Sequence, residues 1–238
     1  MIETRKQRWF QFLDGTTLKI IAMACMFIDH AGIMIFPEQV WMRCVGRIAF
    51  PIFAFQIAEG YQHTSDFRAY IRRLFLLAIL SEIPFNLIHG SILYPQGQNV
   101  LFTFCISLVV FRVVDLHWQE HRVRQLLYLV GAPLAGFVLG DLFFVDYSGY
   151  GVLLVVCFWV FGKNGFGWIL QLLAMIYINY RMSIHMPIQA FAVLAMLPIM
   201  MYNGKKGGGG KSFQYAVYVF YPAHVLLLAI IAFAMGYM

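Results

Sequence analysis

The sequence contains few charged residues. Only 12% of its 238 residues are Asp, Glu, Lys or Arg, whereas 61% are apolar. Its mean hydropathy is +0.73. A soluble domain needs a polar surface, so this composition excludes an ordinary soluble globular protein. It indicates a protein that is buried almost entirely in a membrane.

Cysteine is also scarce. The four cysteines are Cys25, Cys44, Cys105 and Cys157, and none of them belongs to a Cys-x-x-Cys pair. This spacing excludes a disulfide framework and a cysteine-based zinc site, and it favours cysteines that are buried by packing. We therefore expect no metal in this protein.

Apolar runs separated by polar residues predict about nine transmembrane helices, because one span takes about 20 residues of helix. Membrane strands would be shorter and would alternate apolar with polar residues. We expect the helices near residues 17–36, 40–61, 70–90, 99–115, 125–143, 148–162, 165–181, 187–201 and 214–236. Residues 1–238 then form one all-α integral membrane domain, a polytopic helical bundle.

Lys and Arg residues are divided unequally between the two sides of the predicted bundle. If the N-terminal segment 1–16 is cytoplasmic, only Arg43, Arg47 and Arg181 fall on the outer side. The positive-inside rule therefore predicts a cytoplasmic N-terminus, an outer C-terminus and a multi-pass protein of the bacterial inner membrane. The net charge of +6 is explained by contact with anionic membrane lipid, and we expect no nucleic-acid partner.

The segment 203–212 is rich in glycine and lysine and ends in Gly-Lys-Ser. A phosphate-binding loop needs a glycine five residues before Gly210, where this sequence has Lys205. We therefore interpret 203–212 as a flexible basic cytoplasmic loop.

Several polar residues lie where the membrane requires apolar ones. They are Asp29, His30, Arg47, Glu82 and His224, with Asn99 and Tyr150 at the outer ends of helices. Counting about 1.5 Å per helical residue places the four ionisable groups of the first three helices at a similar depth, in the outer half of the membrane. Ionisable residues at such depth mark a functional site or pair to hold helices together. Their shared depth predicts a buried polar cavity.

Lys19 and His30 are eleven residues apart, so they lie on one face of the first helix with about 16 Å between their backbones. This spacing suits an extended donor such as coenzyme A, with Lys19 contacting phosphate at the cytoplasmic surface. The alternative for Lys19 is an interfacial anchor. His30 would act as general base, removing the proton of an amine or hydroxyl that attacks a thioester.

Asp29 is about 100° from His30 around the helix, which makes it a better partner for Arg47 than for His30. Glu82 and His224 are the two candidates for the group that holds the His30 tautomer. The candidates for stabilising the oxyanion are Arg47, Asn99 and Tyr150. The sequence does not rank them.

Seven blocks in this order resemble the TraX family of bacterial membrane proteins. They are residues 18–30, 46–54, 81–86, 99–102, 150–153, 202–205 and 220–224, spread over almost the whole chain. The resemblance implies a transmembrane acyltransferase that uses acetyl-CoA, because the family's namesake acetylates the amino terminus of conjugative pilin. The spacing of Lys19 and His30 is similar to that of a basic residue and a histidine in one branch of the wider acyltransferase superfamily.

By matching motif, the resemblance implies that His30 is catalytic. It also implies a set of further site residues, Asp29, Arg47, Asn99, Tyr221 and His224. Blocks 81–86 and 202–205 look more like chromosomal relatives than plasmid pilin enzymes. The acceptor therefore stays open between a protein N-terminus, such as that of pilin, and a cell-surface glycan.

We predict transfer of acetyl from cytoplasmic acetyl-CoA to an amine or hydroxyl at the outer side of the membrane. One alternative is a proton-coupled small-solute transporter, which would also use intramembrane Asp, His and Arg residues. The absence of an internal sequence repeat disfavours it. A non-catalytic membrane scaffold is the other alternative. Direct transfer and an acetyl-enzyme intermediate both stay possible.

Overall fold

The computed structural model describes residues 9–162 and 166–237, with the backbone alone at Lys211. Part of the charge argument rests on Arg5, Lys6, Arg8 and Lys163, which lie outside the described residues. In the described ranges, every element longer than an isolated bridge is a helix. This confirms the all-α fold class.

The helices are α1 Gly15–Met34, α2 Val40–Gly46, α3 Ala49–His63, α4 Phe67–Leu87, α5 Val100–Leu116, α6 Arg122–Leu142, α7 Ser148–Phe161, α8 Gly167–Ser183, a 3-10 helix Pro187–Ala195, α9 Met196–Met200 and α10 Gly210–Ala234. Two pairs, α2 with α3 and the 3-10 helix with α9, continue one another almost without a loop. The described chain therefore contains nine helical segments, in the order of the nine predicted apolar runs.

Four segments in the described ranges are long and apolar enough to cross a membrane. They are Gly15–Met34, Val40–His63, Arg122–Leu142 and Ser212–Ala234. Only 11% of the most apolar stretch of α6 is buried in the protein, so most of this helix has an apolar surface suited to lipid. These helices identify a membrane protein. The other segments are shorter or more charged, so the count of nine spans stays a prediction.

Three helices begin at a side chain that accepts a hydrogen bond from their own first turn. Asp14 accepts from the Thr17 N–H at 2.8 Å, and Asp66 accepts from the Ala69 N–H at 2.9 Å. Asn99 begins α5 in the same way. Such caps satisfy backbone donors that the helix leaves unpaired, which is why these helices start at these residues.

The main core lies between α1, α3, α5 and α7. Its largest fully buried side chains include Trp159 and Phe158 of α7, Phe111 of α5, Ile52 of α3 and Leu18 of α1. Helix α7 is apolar on all sides, which suits the central position in the bundle. The polar groups discussed below lie around this core, at the two ends of the bundle.

The ends of the helices form two groups. At the near end, where α1 begins, the Leu13 N–H donates to the Met201 carbonyl at 3.0 Å. At the far end, where α1 finishes, the Asp146 N–H donates to the Gln98 carbonyl at 2.8 Å. The start of α1 therefore lies beside the end of α9, and α5 and α7 begin at the same end of the bundle. The side of the membrane on which each end lies stays a prediction.

Helix α10 packs closely on the bundle through its second half only. Between Tyr221 and Ala232 several side chains are buried, and Leu228 and Ala232 pack against Ala31 and Met34 of α1. By contrast, no described side chain from 212 to 220 is buried. The close packing brings the second half of α10 against the far half of α1, where His30 lies.

Candidate functional site at the far end of the bundle

A cavity of about 210 Å³ lies at the far end. Its walls include four of the residues predicted as site residues, Asp29, His30, Arg47 and Tyr221. Residues of α1, α3, α4, α5 and α10 contribute to it together with the end of α2. A cavity lined mostly by apolar side chains, with a few polar groups that converge on it, is the arrangement expected of a small-molecule site.

His30 and His224 form a hydrogen-bonded pair beside this cavity. The distance between His30 Nδ1 and His224 Nε2 is 2.7 Å, and His224 Nδ1 lies 2.7 Å from the Phe220 carbonyl oxygen. A carbonyl can only accept, so His224 Nδ1 carries the hydrogen and its Nε2, in the neutral ring, is an acceptor. His30 Nδ1 must then donate. This leaves His30 Nε2 with a free lone pair, the form that a general base requires.

Asp29 is buried between two arginines. Arg47 donates a hydrogen bond to its Oδ2, and Arg43 Nε lies 3.5 Å from its Oδ1. Gly46 packs directly on the Asp29 carboxyl group, and a side chain there would overlap it. The ion pair therefore depends on a glycine at this position as well as on the charges.

Two donor groups of the arginines have no acceptor in the described part of the chain. They are Nη1 of Arg43 and Nε of Arg47, and both are buried. A buried donor without a partner costs about 1–3 kcal/mol, so an oxygen atom of a ligand in the cavity would be stabilised by either group. A carbonyl oxygen that becomes negative during a reaction is such a ligand.

The other predicted site residues lie outside the cavity wall. Asn99 is fully buried, and its amide donates to Glu82 at 2.6 Å and to the Ala78 carbonyl at 2.9 Å. These bonds engage Asn99 in joining α4 to α5. Tyr150 accepts a hydrogen bond from Arg181 Nε at 3.4 Å. Lys19 is in the first turns of α1, at the near end.

Arg43, Asp146 and Tyr147 line the cavity but were not among the predicted site residues. The sequence placed Arg43 among the basic residues of the outer side. Arg43 and Arg47 are four residues apart in a helical stretch and so lie on one face, which was a usable signal. Nothing in the sequence indicated that the turn after α6 folds inward.

The turn 143–148 has a left-handed backbone conformation that residues other than glycine rarely adopt. Phe144, Tyr147 and Ser148 have φ values of 51°, 64° and 49°. Such residues cost of order 1–3 kcal/mol each and persist where the surroundings hold them. Here Thr103 donates to the Asp146 carbonyl oxygen at 2.6 Å, and Phe50 stacks on Tyr147 with 3.8 Å between ring centres.

This turn places the Asp146 carboxyl group at the cavity. Burial raises the pKa of Asp146 to about 6, although the nearby charge of Arg47 favours its ionised form. The positive charges of Arg43 and Arg47 are therefore balanced by Asp29 and, above about pH 6, by Asp146. The cavity changes its net charge within a physiological range of pH.

Comparison with known proteins agrees with this arrangement of the chain. The sequence pattern of the family described as TraX protein matches residues 14–232. The chain belongs to the TraX family. The matched region includes all helices except the last two residues of α10, and every residue of the far-end cavity.

Three relatives illustrate the breadth of the TraX family. A probable fimbrial assembly protein, FimC of serogroup H1 from Dichelobacter nodosus, is 27% identical over 89% of this chain and 92% of its own length. The protein TraX of Escherichia coli K12 is 28% identical over 56% of this chain and 55% of its own. An uncharacterised protein of Rickettsia prowazekii is 50% identical over 40% and 39%. No solved structure matches this TraX-family chain.

Proposed function

We propose that this TraX-family protein is an acetyltransferase of the bacterial inner membrane. It moves acetyl from cytoplasmic acetyl-CoA to an amine or hydroxyl at the outer side, with His30 as general base. The near end of the bundle faces the cytoplasm, and the far-end cavity is the place of reaction. The acceptor is a protein N-terminus or a cell-surface glycan. The name of the Dichelobacter relative, a probable fimbrial assembly protein, favours a pilus subunit.

The observation that carries the proposal is the hydrogen-bond chain from His30 through His224 to the Phe220 carbonyl. It keeps the lone pair on His30 Nε2, and His30 lines a cavity together with Arg43 and Arg47, each of which has a buried donor without an acceptor in the described chain. A histidine that only filled space would not need its tautomer fixed by a second histidine. Of the two tautomer-holding candidates, His224 and Glu82, only His224 has a hydrogen bond to His30 in the described structure.

The reaction follows from these groups. His30 Nε2 removes a proton from the acceptor as its nitrogen or oxygen attacks the thioester carbonyl. The carbonyl oxygen becomes negative, and Arg43 or Arg47 stabilises it with a hydrogen bond. The carbon–sulfur bond then breaks, the thiolate leaves as coenzyme A, and His30 returns its proton to the sulfur. His224 accepts the His30 Nδ1–H throughout and stabilises the charged imidazolium.

The test is transfer of labelled acetyl by detergent-purified protein, for wild type and His30→Ala at equal amounts of folded protein. General-base catalysis contributes about 10²- to 10⁴-fold, so the variant should lose at least 99% of turnover. A variant with undiminished transfer would remove His30 from the mechanism.

Wild-type protein that neither binds nor turns over acetyl-CoA would contradict the enzymatic proposal as a whole. Solute counterflow in proteoliposomes would then support the transporter alternative.

A further inference from the structure

The segment 201–208 is hydrogen-bonded to the beginning of α1 and to the residues just before it. The Leu13 N–H donates to the Met201 carbonyl, and the Asn203 N–H donates to the Leu13 carbonyl. The Gly15 N–H donates to the Lys205 carbonyl, and the Thr16 hydroxyl donates to the carbonyls of Lys206 and Gly208. The distances are 2.5–3.3 Å. The sequence predicts a flexible basic loop here. These hydrogen bonds place the backbone of Lys205 and Lys206 beside the first turn of α1.

Gly207 makes the close approach possible. Its φ of +82° is unfavourable for other residues, and a Cβ atom there would overlap the Asp14 carboxyl group. Asp14 itself is engaged in capping α1, because Thr17 donates to it from its backbone at 2.8 Å and from its hydroxyl at 2.9 Å. The Thr17 hydrogen bonds hold the pKa of Asp14 below its usual value. Asp14 is thus ionised, but its Oδ1 is already occupied.

These hydrogen bonds bring three lysines that are distant in sequence to one region at the near end, namely Lys19, Lys205 and Lys206. We call these residues the lysine cluster. Lys206 is close enough to Lys19 for the two charges to repel each other, and the charge of Asp14 is also felt at Lys19. Asp14 is the acidic group whose charge is felt at Lys19, so the positive charges of the three lysines exceed the negative charge beside them. Crowded like charges cost free energy unless an anion lies among them. The arrangement therefore suits a ligand that carries several negative charges.

We propose that Lys19, Lys205 and Lys206 hold the phosphate groups of the acyl donor. This inference rests on the proposed function and assigns the part of the donor that the far-end cavity cannot contain. That cavity, at about 210 Å³, is smaller than the roughly 300–1,000 Å³ of sites that enclose a whole ligand, so it takes the acetyl end alone. Lys19 and His30 share one face of α1 about 16 Å apart, which sets the direction of the donor between the two sites.

A pair of donors tests the assignment. Acetyl-CoA carries the phosphates, whereas acetyl-pantetheine has the same thioester and no phosphate. For the double variant Lys205→Gln/Lys206→Gln, we expect KM for acetyl-CoA to rise about 25-fold, since each lysine near an anionic group contributes roughly fivefold in affinity. We expect kcat to stay the same and the kinetics with acetyl-pantetheine to stay unchanged. Both side chains are exposed, so the substitutions should not disturb folding.

A matched control is Arg124→Gln. Arg124 is an exposed basic residue at the near end, paired only with Glu120 at 3.5 Å and outside the cluster. It should leave KM unchanged for both donors. Equal effects of the lysine variant on both donors, or no effect on either, would overturn the assignment.

The near end offers another place for the donor's phosphates. A larger opening of about 790 Å³ is lined by Arg68 and Arg112, among other residues. The variant Arg68→Gln/Arg112→Gln tests this opening. If KM for acetyl-CoA rises in this variant and not in the lysine variant, the phosphates bind at the opening and the assignment is overturned.

Lipid phosphates are the alternative source of the same chemistry. The assays are therefore run in phosphatidylcholine vesicles with and without phosphatidylglycerol. A lysine effect that requires phosphatidylglycerol and is equal for both donors would assign the cluster to lipid and overturn the proposal.

Equilibrium binding of desulfo-coenzyme A, which cannot react, separates this inference from the proposed function. Wild-type binding that the lysine variant weakens about 25-fold supports the cluster even if no acetyl transfer is found. Wild-type transfer with equal binding by both proteins would refute the cluster and leave the enzymatic proposal intact.

Discussion

Replacing His224 is the most informative change that the structure suggests. In His224→Phe, His30 Nδ1 loses its acceptor and the imidazole is free to carry its hydrogen on Nε2, where it cannot act as a base. The bond that is lost becomes charge-assisted when His30 holds the proton in the transition state. Such bonds contribute about 1.5–3 kcal/mol. At 1.36 kcal/mol for each factor of ten, kcat should fall about 10- to 150-fold.

The matched variant is His224→Gln. The amide oxygen of glutamine can accept from His30 Nδ1 as His224 Nε2 does in the wild type. We expect it to recover most of the lost kcat, to within about tenfold of the wild type. KM for acetyl-CoA should change little in either variant, because His224 is not expected to contact the donor.

The assay is steady-state acetyl transfer, with thermal unfolding measured in parallel. His224 is buried beside His30 and stacks with Phe220, so a loss of packing would lower stability in both variants. The tautomer argument would be refuted if kcat fell in proportion to the melting temperature in both variants, whether or not the new side chain can accept from His30 Nδ1. A His224→Phe enzyme with wild-type kcat would also refute it.

Four further predictions concern the surroundings of this pair. Arg47→Met should lower the free energy of unfolding by about 3–5 kcal/mol because it leaves Asp29 buried beside Arg43 alone, and adding Asp29→Asn should recover much of this loss in a double-mutant cycle. The pKa of Asp146 is raised to about 6, so its contribution to stability is fully present below about pH 4 and is lost as the pH rises through 6. This dependence amounts to at most about 3 kcal/mol. Asp146→Asn should remove it in unfolding measured from pH 4 to 7. Gly46→Ala should destabilise by about 1–3 kcal/mol through overlap with Asp29, whereas Gly131→Ala, where the added methyl meets nothing, should be neutral or stabilising. Reporter fusions within 203–209 should be active only in the cytoplasm, and an outer location would reverse the predicted topology.

The fold class and the order of the helices could be predicted because they depend on local properties. Run length and composition identify a membrane helix without knowledge of its neighbours, which is why all nine predicted runs correspond to helical segments in the described chain. The helix from 40 to 61 was less well predicted in detail. It is divided into α2 and α3 around Arg47 and Ile48, which apolar patterning does not reveal.

Site residues could be predicted where their depth in the membrane was sufficient to bring them together. They could not be predicted where the direction of the side chain determined whether it reaches the cavity. Counting residues along helices was enough to bring Asp29, His30 and Arg47 to one level. Asn99 was predicted as a site residue at the outer end of its helix, but its amide is engaged by Glu82 on a neighbouring helix. Asp146 reaches the cavity through a strained turn with positive φ, and no periodic pattern encodes that conformation.

The alternative that these polar residues only hold helices together can be judged by their hydrogen bonds. A structural ion pair in a membrane is stable when every donor and acceptor is satisfied, because an unpaired polar group is costly there. The bonds of Asn99 to Glu82 and Ala78 join α4 to α5, and Glu82 Oε1 is buried without a partner in the described chain, as are Arg43 Nη1 and Arg47 Nε beside Asp29. The two groups differ in the cavity, which Asp29, Arg43 and Arg47 line and which Asn99 and Glu82 do not.

A scaffold would also have no use for the fixed tautomer of His30. An unprotonated His30 Nε2 and unpaired donors at one cavity form a combination that proton transfer and oxyanion binding require together. Helix assembly requires neither of them. The arrangement at the far end therefore favours chemistry over a purely structural role.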